Sequence, residues 1–161
     1  MRTPDYEWFL DLAERCAKQG TCLRRNFGAV IVDKDNTIIS TGYTGAPTGM
    51  KDCLELQYCW REDNNIASGT CYEKCKSVHA EQNAIIQAGK KARGSTLYLA
   101  GIDAKTEKIV DILPCFLCAK MIINAGICSV TIRMTDGATN FIPSVIYNRR
   151  FKEAFGNDNK D

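Results

Sequence analysis

Two short fragments limit what this chain can fold into more than any other part of its sequence. One is His79-Ala80-Glu81, and the other is Pro114-Cys115-Phe116-Leu117-Cys118. Residues three apart share one face of a helix, so Cys115 and Cys118 can grip a single ion from one turn. His79 is the only histidine of the sequence, so an imidazole ligand can come from no other position.

The cysteine fragment is predicted to open a helix. Pro114 suits the first helical turn, and we expect the helix over residues 115–124 with its end at Gly126. At a helix N-terminus the unpaired N–H groups and the dipole favour negative charge. This position lowers the pKa of a thiol toward the thiolate form that zinc binds.

The histidine fragment is predicted to open a second helix, over residues 79–87, which Gly89 closes. His79 and Glu81 are two residues apart, and such positions point to different sides of a regular helix. Both can serve one site only if His79 lies at or just before the helix start. Ser77, a residue type common at N-caps, favours such a start.

One histidine and two cysteines supply three ligands, and three protein ligands with an open fourth position are typical of a catalytic zinc. Water fills that position, and zinc lowers its pKa toward about 7. A nearby carboxylate that is not a ligand can carry the proton, and Glu81 fits that role. Either fragment alone is also compatible with a structural zinc knuckle or a redox pair, whereas together they favour catalysis.

The rest of the pattern predicts a single α/β domain over residues 1–161, because a chain of 161 residues forms one core. Residues 96–100 and 130–134 are strands on either side of the 115–124 helix, which implies a parallel pair with a crossover. The sheet is therefore mixed and covered by helices. The other predicted elements are a helix over 5–18, a hairpin of strands 27–32 and 37–40, and a last helix over 144–155.

Residues 43–76 form a cysteine-rich insert without a clear hydrophobic period. A loop of that length inside a compact domain is usually functional or held by something other than a core. The tail over residues 156–161 is expected to be flexible.

Charge and cysteine content narrow the choice of partners and compartment. Lys and Arg total 21 and Asp and Glu total 19, so no basic field suited to nucleic acid is expected. No stretch approaches the roughly 20 apolar residues of a membrane span, and the first residues lack the apolar core of a secretory signal. We therefore expect a cytoplasmic protein without a membrane partner. Its 9 cysteines are then more often metal ligands or reactive thiols than disulfides.

H-x-E followed by P-C-x-x-C is the signature of zinc nucleobase deaminases. Segments 22–30, 40–47, 79–85 and 122–127 further resemble those of the deoxycytidylate deaminases. The resemblance implies a cytidine-deaminase-like three-layer α/β/α sandwich with a central mixed sheet of about five strands. It also implies zinc-dependent hydrolysis of dCMP to dUMP and ammonia, which supplies dUMP for dTMP synthesis, and a homo-oligomer, either a hexamer or a dimer.

The resemblance assigns roles to individual residues. Glu81 is the proton carrier, and either Arg24 or Arg25 pairs with the substrate phosphate, because a guanidinium binds phosphate oxygens well. Thr44 stands where many relatives carry an asparagine that contacts the sugar. The residues expected to bind substrate are Arg24, Asn26, Gly28, Ala29, Thr44 and Ala80.

Two further features are implied for the insert. The first is a second, structural zinc held by Cys22, Cys53, Cys71 and Cys75, with Cys59 as an alternative to any of them. Cys71 and Cys75 are four apart, which suits one helical face. The second is regulation by dCTP and dTTP, with backbone N–H groups of the turn-rich stretch at Gly42, Gly45 and Gly49 cradling the phosphates.

Other interpretations remain open. The same signature serves deaminases of tRNA adenosine, guanine and the pyrimidine of riboflavin synthesis, and the substrate could be another cytosine nucleotide or a nucleoside. The near-neutral charge and the cysteine-bearing insert favour a small nucleotide over tRNA. A zinc-binding module without turnover is the alternative from a different class.

Overall fold

The structure, a computed structural model, describes residues 5–143. The helix expected over 144–155 and the tail expected over 156–161 lie outside the described residues. The helices are α1 (Asp5–Ala17), α2 (Cys53–Leu56), α3 (Trp60–Asp63), α4 (Ala80–Ala88) and α5 (Phe116–Ala125). The strands are β1 (Arg25–Val32), β2 (Ile38–Tyr43), β3 (Thr96–Asp103), β4 (Ser129–Arg133) and β5 (Thr139–Pro143). None of the helices described is long and apolar enough to cross a membrane.

The five strands form one mixed sheet in the order β2-β1-β3-β4-β5. Strand β1 runs antiparallel to both β2 and β3, and β5 runs antiparallel to β4. Strands β3 and β4 are parallel, and α5 connects them, so the crossover expected from the strand, helix, strand pattern is confirmed. Strand β5 was not predicted, and it pairs with β4 along residues 139–143.

Helices cover both faces of the sheet, because alternate residues of each strand point to opposite sides. On one face α1 packs Phe9 and Ala13 against Val30 and Val32 of β1. On the other face α4 and α5 pack against β1, β3 and β4 around a larger core. This arrangement is the expected three-layer α/β/α sandwich. The buried residues central to the larger core are Ala29, Ile31, Ala84, Leu97, Leu99, Ile122 and Ile132.

Two glycines allow the helices to lie close to the sheet. A Cβ added to Gly28 would collide with backbone atoms of Ala13 and Ala17 in α1. A Cβ added to Gly42 would collide with backbone atoms of Ala80 and Ala84 in α4. Backbone atoms cannot move aside as a flexible side chain does, so both positions require glycine.

The insert contains short helices instead of one long loop. Helix α2 begins after Asp52, whose side chain accepts a hydrogen bond of 2.8 Å from the N–H of Glu55. The Glu55 carboxylate in turn accepts one of 2.9 Å from the Asp52 N–H, which completes a capping box. A 3₁₀ turn over Tyr72–Lys74 follows α3 and leads the chain to α4. Within the insert, α2 thus has a local cap, whereas α3 and the 3₁₀ turn have no side-chain cap.

Alanine substitutions at three glycines test this packing. We expect Gly28→Ala and Gly42→Ala each to lower the free energy of unfolding by at least about 1–3 kcal/mol, the usual cost of overpacking. Gly45→Ala is the matched control, because its added Cβ would meet its nearest atoms at 3.6 Å, an ordinary contact. Urea denaturation measures all three. A loss for Gly45→Ala as large as for the other two would contradict the close-approach explanation.

Candidate active site

Two helices begin at the same place above the sheet. His79 is the N-cap of α4, with an extended backbone (φ −75°, ψ 154°), and its N–H donates to Gln82 Oε1 at 3.0 Å. Cys115 is the N-cap of α5, and its sulfur accepts a hydrogen bond from the N–H of Cys118 at 3.5 Å. His79 therefore caps the helix itself, and Ser77 does not. Pro114 precedes the cap of α5 instead of lying in its first turn.

The side chains from these two starts form a compact donor group. His79 Nδ1 lies 3.5 Å from the sulfur of Cys115 and 3.3 Å from that of Cys118. Donors bound tetrahedrally to one zinc are separated by about 3.5 Å when the metal–ligand bonds have their usual lengths. Among residues 5–143, His79, Cys115 and Cys118 are the group of three or more candidate ligands whose donor atoms all lie within 4.8 Å of one another. Their chemistry and spacing fit zinc.

The charges of the three ligands are coupled. A hydrogen bond from Cys118 lowers the pKa of the Cys115 thiol to about 4, and the same bond raises the pKa of Cys118. Burial lowers the pKa of His79, but the hydrogen bond to Cys115 and the charge of Glu81 outweigh it, so the net shift is upward. The site thus holds a thiolate beside a proton that a metal ion displaces on binding.

Glu81 is a buried carboxyl next to this group. It is 5% exposed, and burial raises its pKa, while the charge of His79 opposes that shift. A carboxyl whose pKa is raised toward the working pH is suited to take up and release protons. Glu81 does not belong to the donor group. It can therefore move protons without holding the metal.

The donor group opens into a cavity of about 380 Å³. This volume lies within the range of pockets that bind small molecules. His79, Glu81 and Cys115 line one part of the wall. Three arginines line other parts of the cavity, namely Arg24, Arg25 and Arg61.

Some of the expected substrate residues reach the cavity. Arg24 and Thr44 line it. The Thr44 hydroxyl is buried and accepts a hydrogen bond of 3.0 Å from the N–H of Phe27, so it also joins the ends of β1 and β2. Ala29 and Ala80 are fully buried in the larger core, on the face of the sheet that α4 and α5 cover. Neither residue lines the cavity.

Asn26 and Gly28, two further residues expected to bind substrate, make contacts within the protein and do not line the cavity. The Asn26 side chain accepts a bond of 2.9 Å from the Cys22 N–H and donates one of 3.2 Å to the Cys22 carbonyl. It closes the turn before β1. Gly28 faces α1, on the sheet face opposite to the cavity, where it permits the close approach described above. Both residues therefore have structural roles.

Two cysteines expected to bind a second zinc, Cys71 and Cys75, do not have the helical spacing assumed for them. Cys71 is exposed, and the 3₁₀ turn Tyr72–Lys74 separates it from Cys75, so the two do not share a helical face. Cys59 takes its place beside Cys53: burial raises the pKa of the Cys53 thiol, and the neighbouring Cys22, Cys59 and Cys75 raise it further. Cys22, Cys53, Cys59 and Cys75 all line the cavity.

The glycine stretch offers few free N–H groups for an effector. Gly42 is packed against α4. The Gly45 N–H donates to the Val78 carbonyl at 3.2 Å, so it is not available to a phosphate. Gly49, with φ 82°, belongs to the turn in which the Met50 N–H donates to Pro47. The phosphate cradle expected at Gly42, Gly45 and Gly49 stays a prediction, in which the Gly45 N–H is not free to take part.

Sequence reasoning missed Arg61 and Tyr72, which line the cavity from the insert. Arg61 is only 4% exposed, although it lies between polar neighbours in a segment without a hydrophobic period. No local signal distinguishes such an arginine from one on a solvated face.

The fold and the site together define a class of protein: an α/β/α sandwich in which two helix starts present a His-Cys-Cys metal centre beside a buried glutamate. The family described as "Cytidine and deoxycytidylate deaminase zinc-binding region" matches residues 3–134. The chain belongs to this family, as the resemblance implied.

Individual relatives agree with this assignment. A deoxycytidylate deaminase of Mycobacterium phage D29 is 34% identical over 134 residues, which cover 79% of this chain and 93% of the relative. One of Schizosaccharomyces pombe is 32% identical over 120 residues, 74% of this chain. The chain spans only 34% of the length of that yeast relative. The solved dCMP deaminase of cyanophage S-TIM5 in complex with dCMP and dUMP has a TM-score of 0.58 and 28% identity, covering 85% of this chain and 89% of the other.

Metal analysis tests the donor group. We expect Cys115→Ser and His79→Ala each to lower the zinc content of the purified protein by about one ion per chain. A site with three protein ligands loses most of its affinity for zinc when one of the three is removed. Cys71→Ser is the matched control, since Cys71 is exposed and lies outside the donor group. Unchanged zinc in both ligand variants would rule out the site.

Proposed function

We propose that the protein catalyses the hydrolytic deamination of dCMP to dUMP and ammonia. The observation that carries the proposal is the buried Glu81 carboxyl lining the same cavity as His79 and Cys115. Support for the substrate comes from the names of two relatives, the deoxycytidylate deaminase of phage D29 and the cyanophage enzyme in complex with dCMP and dUMP. The cavity volume suits one small nucleotide.

Glu81 carries the protons of the reaction. His79, Cys115 and Cys118 would hold a zinc ion, which would supply Lewis-acid activation of a water molecule. Glu81 takes one proton from that water and gives it to ring nitrogen N3 while the oxygen bonds to C4. It then transfers the second proton to the amino group, the C4–N bond breaks, and ammonia leaves. The oxygen stays on C4 as the carbonyl of the uracil ring, so one water is consumed for each ammonia.

A metal-binding module without turnover fits the site less well. A structural zinc needs four protein ligands that close its coordination. The donor group here provides three, and the fourth side is the cavity. In such a module the burial of the Glu81 carboxyl would lower the stability of the fold and serve no function, because burying a charged group costs free energy.

We also propose a structural zinc in the insert, bound by Cys22, Cys53, Cys59 and Cys75. Four cysteines are a common ligand set for closed zinc sites. Two of them belong to one-turn helices, Cys53 as the first residue of α2 and Cys59 as the N-cap of α3. Helices of one turn are not stable alone, so a metal bound here would hold both in place. Their sulfurs are spaced more widely than the donors at His79, so closure on an ion requires side-chain rotation.

Regulation by dCTP and dTTP, assembly into a hexamer or dimer, and a cytoplasmic location remain predictions. Rate-versus-dCMP curves measured with and without dCTP and dTTP test the first. Sedimentation of the purified protein tests the second.

Replacing the proton carrier separates catalysis from metal binding. We expect Glu81→Gln to reduce ammonia release from dCMP by at least about 10²–10⁴-fold, the usual contribution of a general acid–base group, with zinc content retained. Glu107→Gln is the control, since Glu107 is exposed and lies outside the cavity. The assay should include CMP, deoxycytidine, dCTP, guanine and an adenosine-containing tRNA hairpin. Higher activity on one of these compounds than on dCMP would refute the proposal that dCMP is the substrate.

A pair of cysteine variants tests the structural zinc. We expect the native protein to contain about two zinc ions per chain and Cys59→Ser about one, because loss of one ligand opens the site. Cys71→Ser should keep both ions. If native protein prepared without chelator contains one ion, or if Cys71→Ser loses one and Cys59→Ser does not, the proposed ligand set fails.

A further inference from the structure

Arg61 is a buried arginine with most of its hydrogen-bonding capacity unused. The residue is 4% exposed. A guanidinium carries five N–H donors. Arg61 Nη2 donates to the Ala67 carbonyl at 2.7 Å, whereas Nε and Nη1 have no hydrogen-bond partner among residues 5–143. An unsatisfied buried donor on a charged group is costly, so native proteins rarely keep one without a use.

The surroundings of Arg61 fix its guanidinium at the cavity. Its central carbon lies 4.4 Å from the centre of the Tyr72 ring, in a cation–π contact. The rings of Tyr72 and His79 meet edge to face, with 4.8 Å between ring centres and an angle of 88° between planes. Arg61 and Tyr72 both line the cavity. The Tyr72 ring therefore contacts both the guanidinium of Arg61 and the imidazole of the candidate metal site.

Protein carboxylates do not neutralise this cation. Within residues 5–143, no ion pair within 4.0 Å involves Arg61. The carboxylates that line the cavity are Glu81 and Asp111. Asp111 is exposed, and its oxygens accept hydrogen bonds from the N–H and hydroxyl of Thr135 at 2.7 and 3.0 Å. Glu81 lies beside the metal-donor group and does not form an ion pair with Arg61. A buried cation without a carboxylate partner favours an anion in the cavity.

We propose that Arg61 binds the 5′-phosphate of the substrate and thereby selects a nucleoside monophosphate over the free nucleoside. The proposal rests on the function proposed above, which it deepens. The free donors of the guanidinium bind phosphate oxygens, Tyr72 packs against the guanidinium, and the reacting ring lies toward His79. Arg61 is thus the inner phosphate contact.

Arg24 and Arg25 have a different position. Arg25 is exposed and Arg24 is half-buried, so both keep much of their hydration when the cavity is empty. Exposed charges gain little from pairing, because solvent screens them. A guanidinium that is already desolvated gains more from an anion, since it has no water to give up. The choice between phosphate and hydroxyl at the 5′ position is therefore expected to depend mainly on Arg61.

The test compares kcat/KM for dCMP and for deoxycytidine in the native enzyme, Arg61→Ala and Arg61→Lys. We expect Arg61→Ala to lower the value for dCMP by about 10–100-fold, the range for hydrogen bonds to a charged group, with little change for deoxycytidine. Arg61→Lys, which keeps the charge but not the planar set of donors, should lose less. Equal losses for both substrates in variants that retain zinc would indicate a purely structural role and overturn the proposal.

Two controls separate binding from folding. Arg133→Lys is matched to Arg61→Lys, because Arg133 is a partly buried arginine that pairs with Glu7, Asp11 and Glu14 of α1 away from the cavity. It should leave the ratio of the two kcat/KM values unchanged. Thermal unfolding without ligand monitors the fold. If Arg61→Ala does not fold, Arg61→Lys, whose ammonium can still donate to Ala67, decides the outcome through the same ratio.

Calorimetric binding of dUMP and deoxyuridine distinguishes failure of this proposal from failure of the proposed function. If the native protein releases no ammonia from either substrate, the function fails. A preference for dUMP that Arg61→Ala abolishes would still support the phosphate contact. Equal affinity of the native protein for dUMP and deoxyuridine would overturn it, whatever the turnover.

Discussion

The site depends on two helices that begin at one point. The N-caps His79 and Cys115 each supply a candidate metal ligand, and the first turns of both helices add positive potential at this point. The sheet determines this meeting point: α4 packs against β1 and β2, and α5 spans the parallel strands β3 and β4. The donor distances of 3.3 and 3.5 Å are therefore a consequence of how the sheet is covered, and no binding loop is needed to create them.

Elements with a strong local signal could be predicted from the sequence. Helix α1 has an apolar stripe, the β1 and β2 hairpin has a polar turn, and the β3, α5, β4 unit has Pro114 and Gly126 as boundaries. Strand β5 could not be predicted, because its five residues are partly exposed and become a strand by pairing with β4. The one-turn helices of the insert are too short to show a period, although the capping box of Asp52 and Glu55 was a readable signal.

Some residues of the candidate site could likewise be predicted from the sequence, and others could not. His79, Glu81, Cys115 and Cys118 could be found because one metal ion demands their spacing and residue types. The helical spacing assumed for Cys71 and Cys75 was wrong, because the chain makes a 3₁₀ turn between them. Two facts depend on tertiary packing that no local pattern encodes, namely the burial of Arg61 and the close approach of α1 to Gly28.

The separation of the ligands along the chain also orders events during synthesis. His79 and Cys118 are 39 positions apart, and the strand between them pairs with β1, which lies far upstream. Contacts between residues distant in the chain form late, because closing a long loop costs entropy before the new contacts offset that cost. Both thiols of the centre are therefore made after most of the sheet. Until α5 docks, these thiols are accessible to oxidants and to competing metal ions.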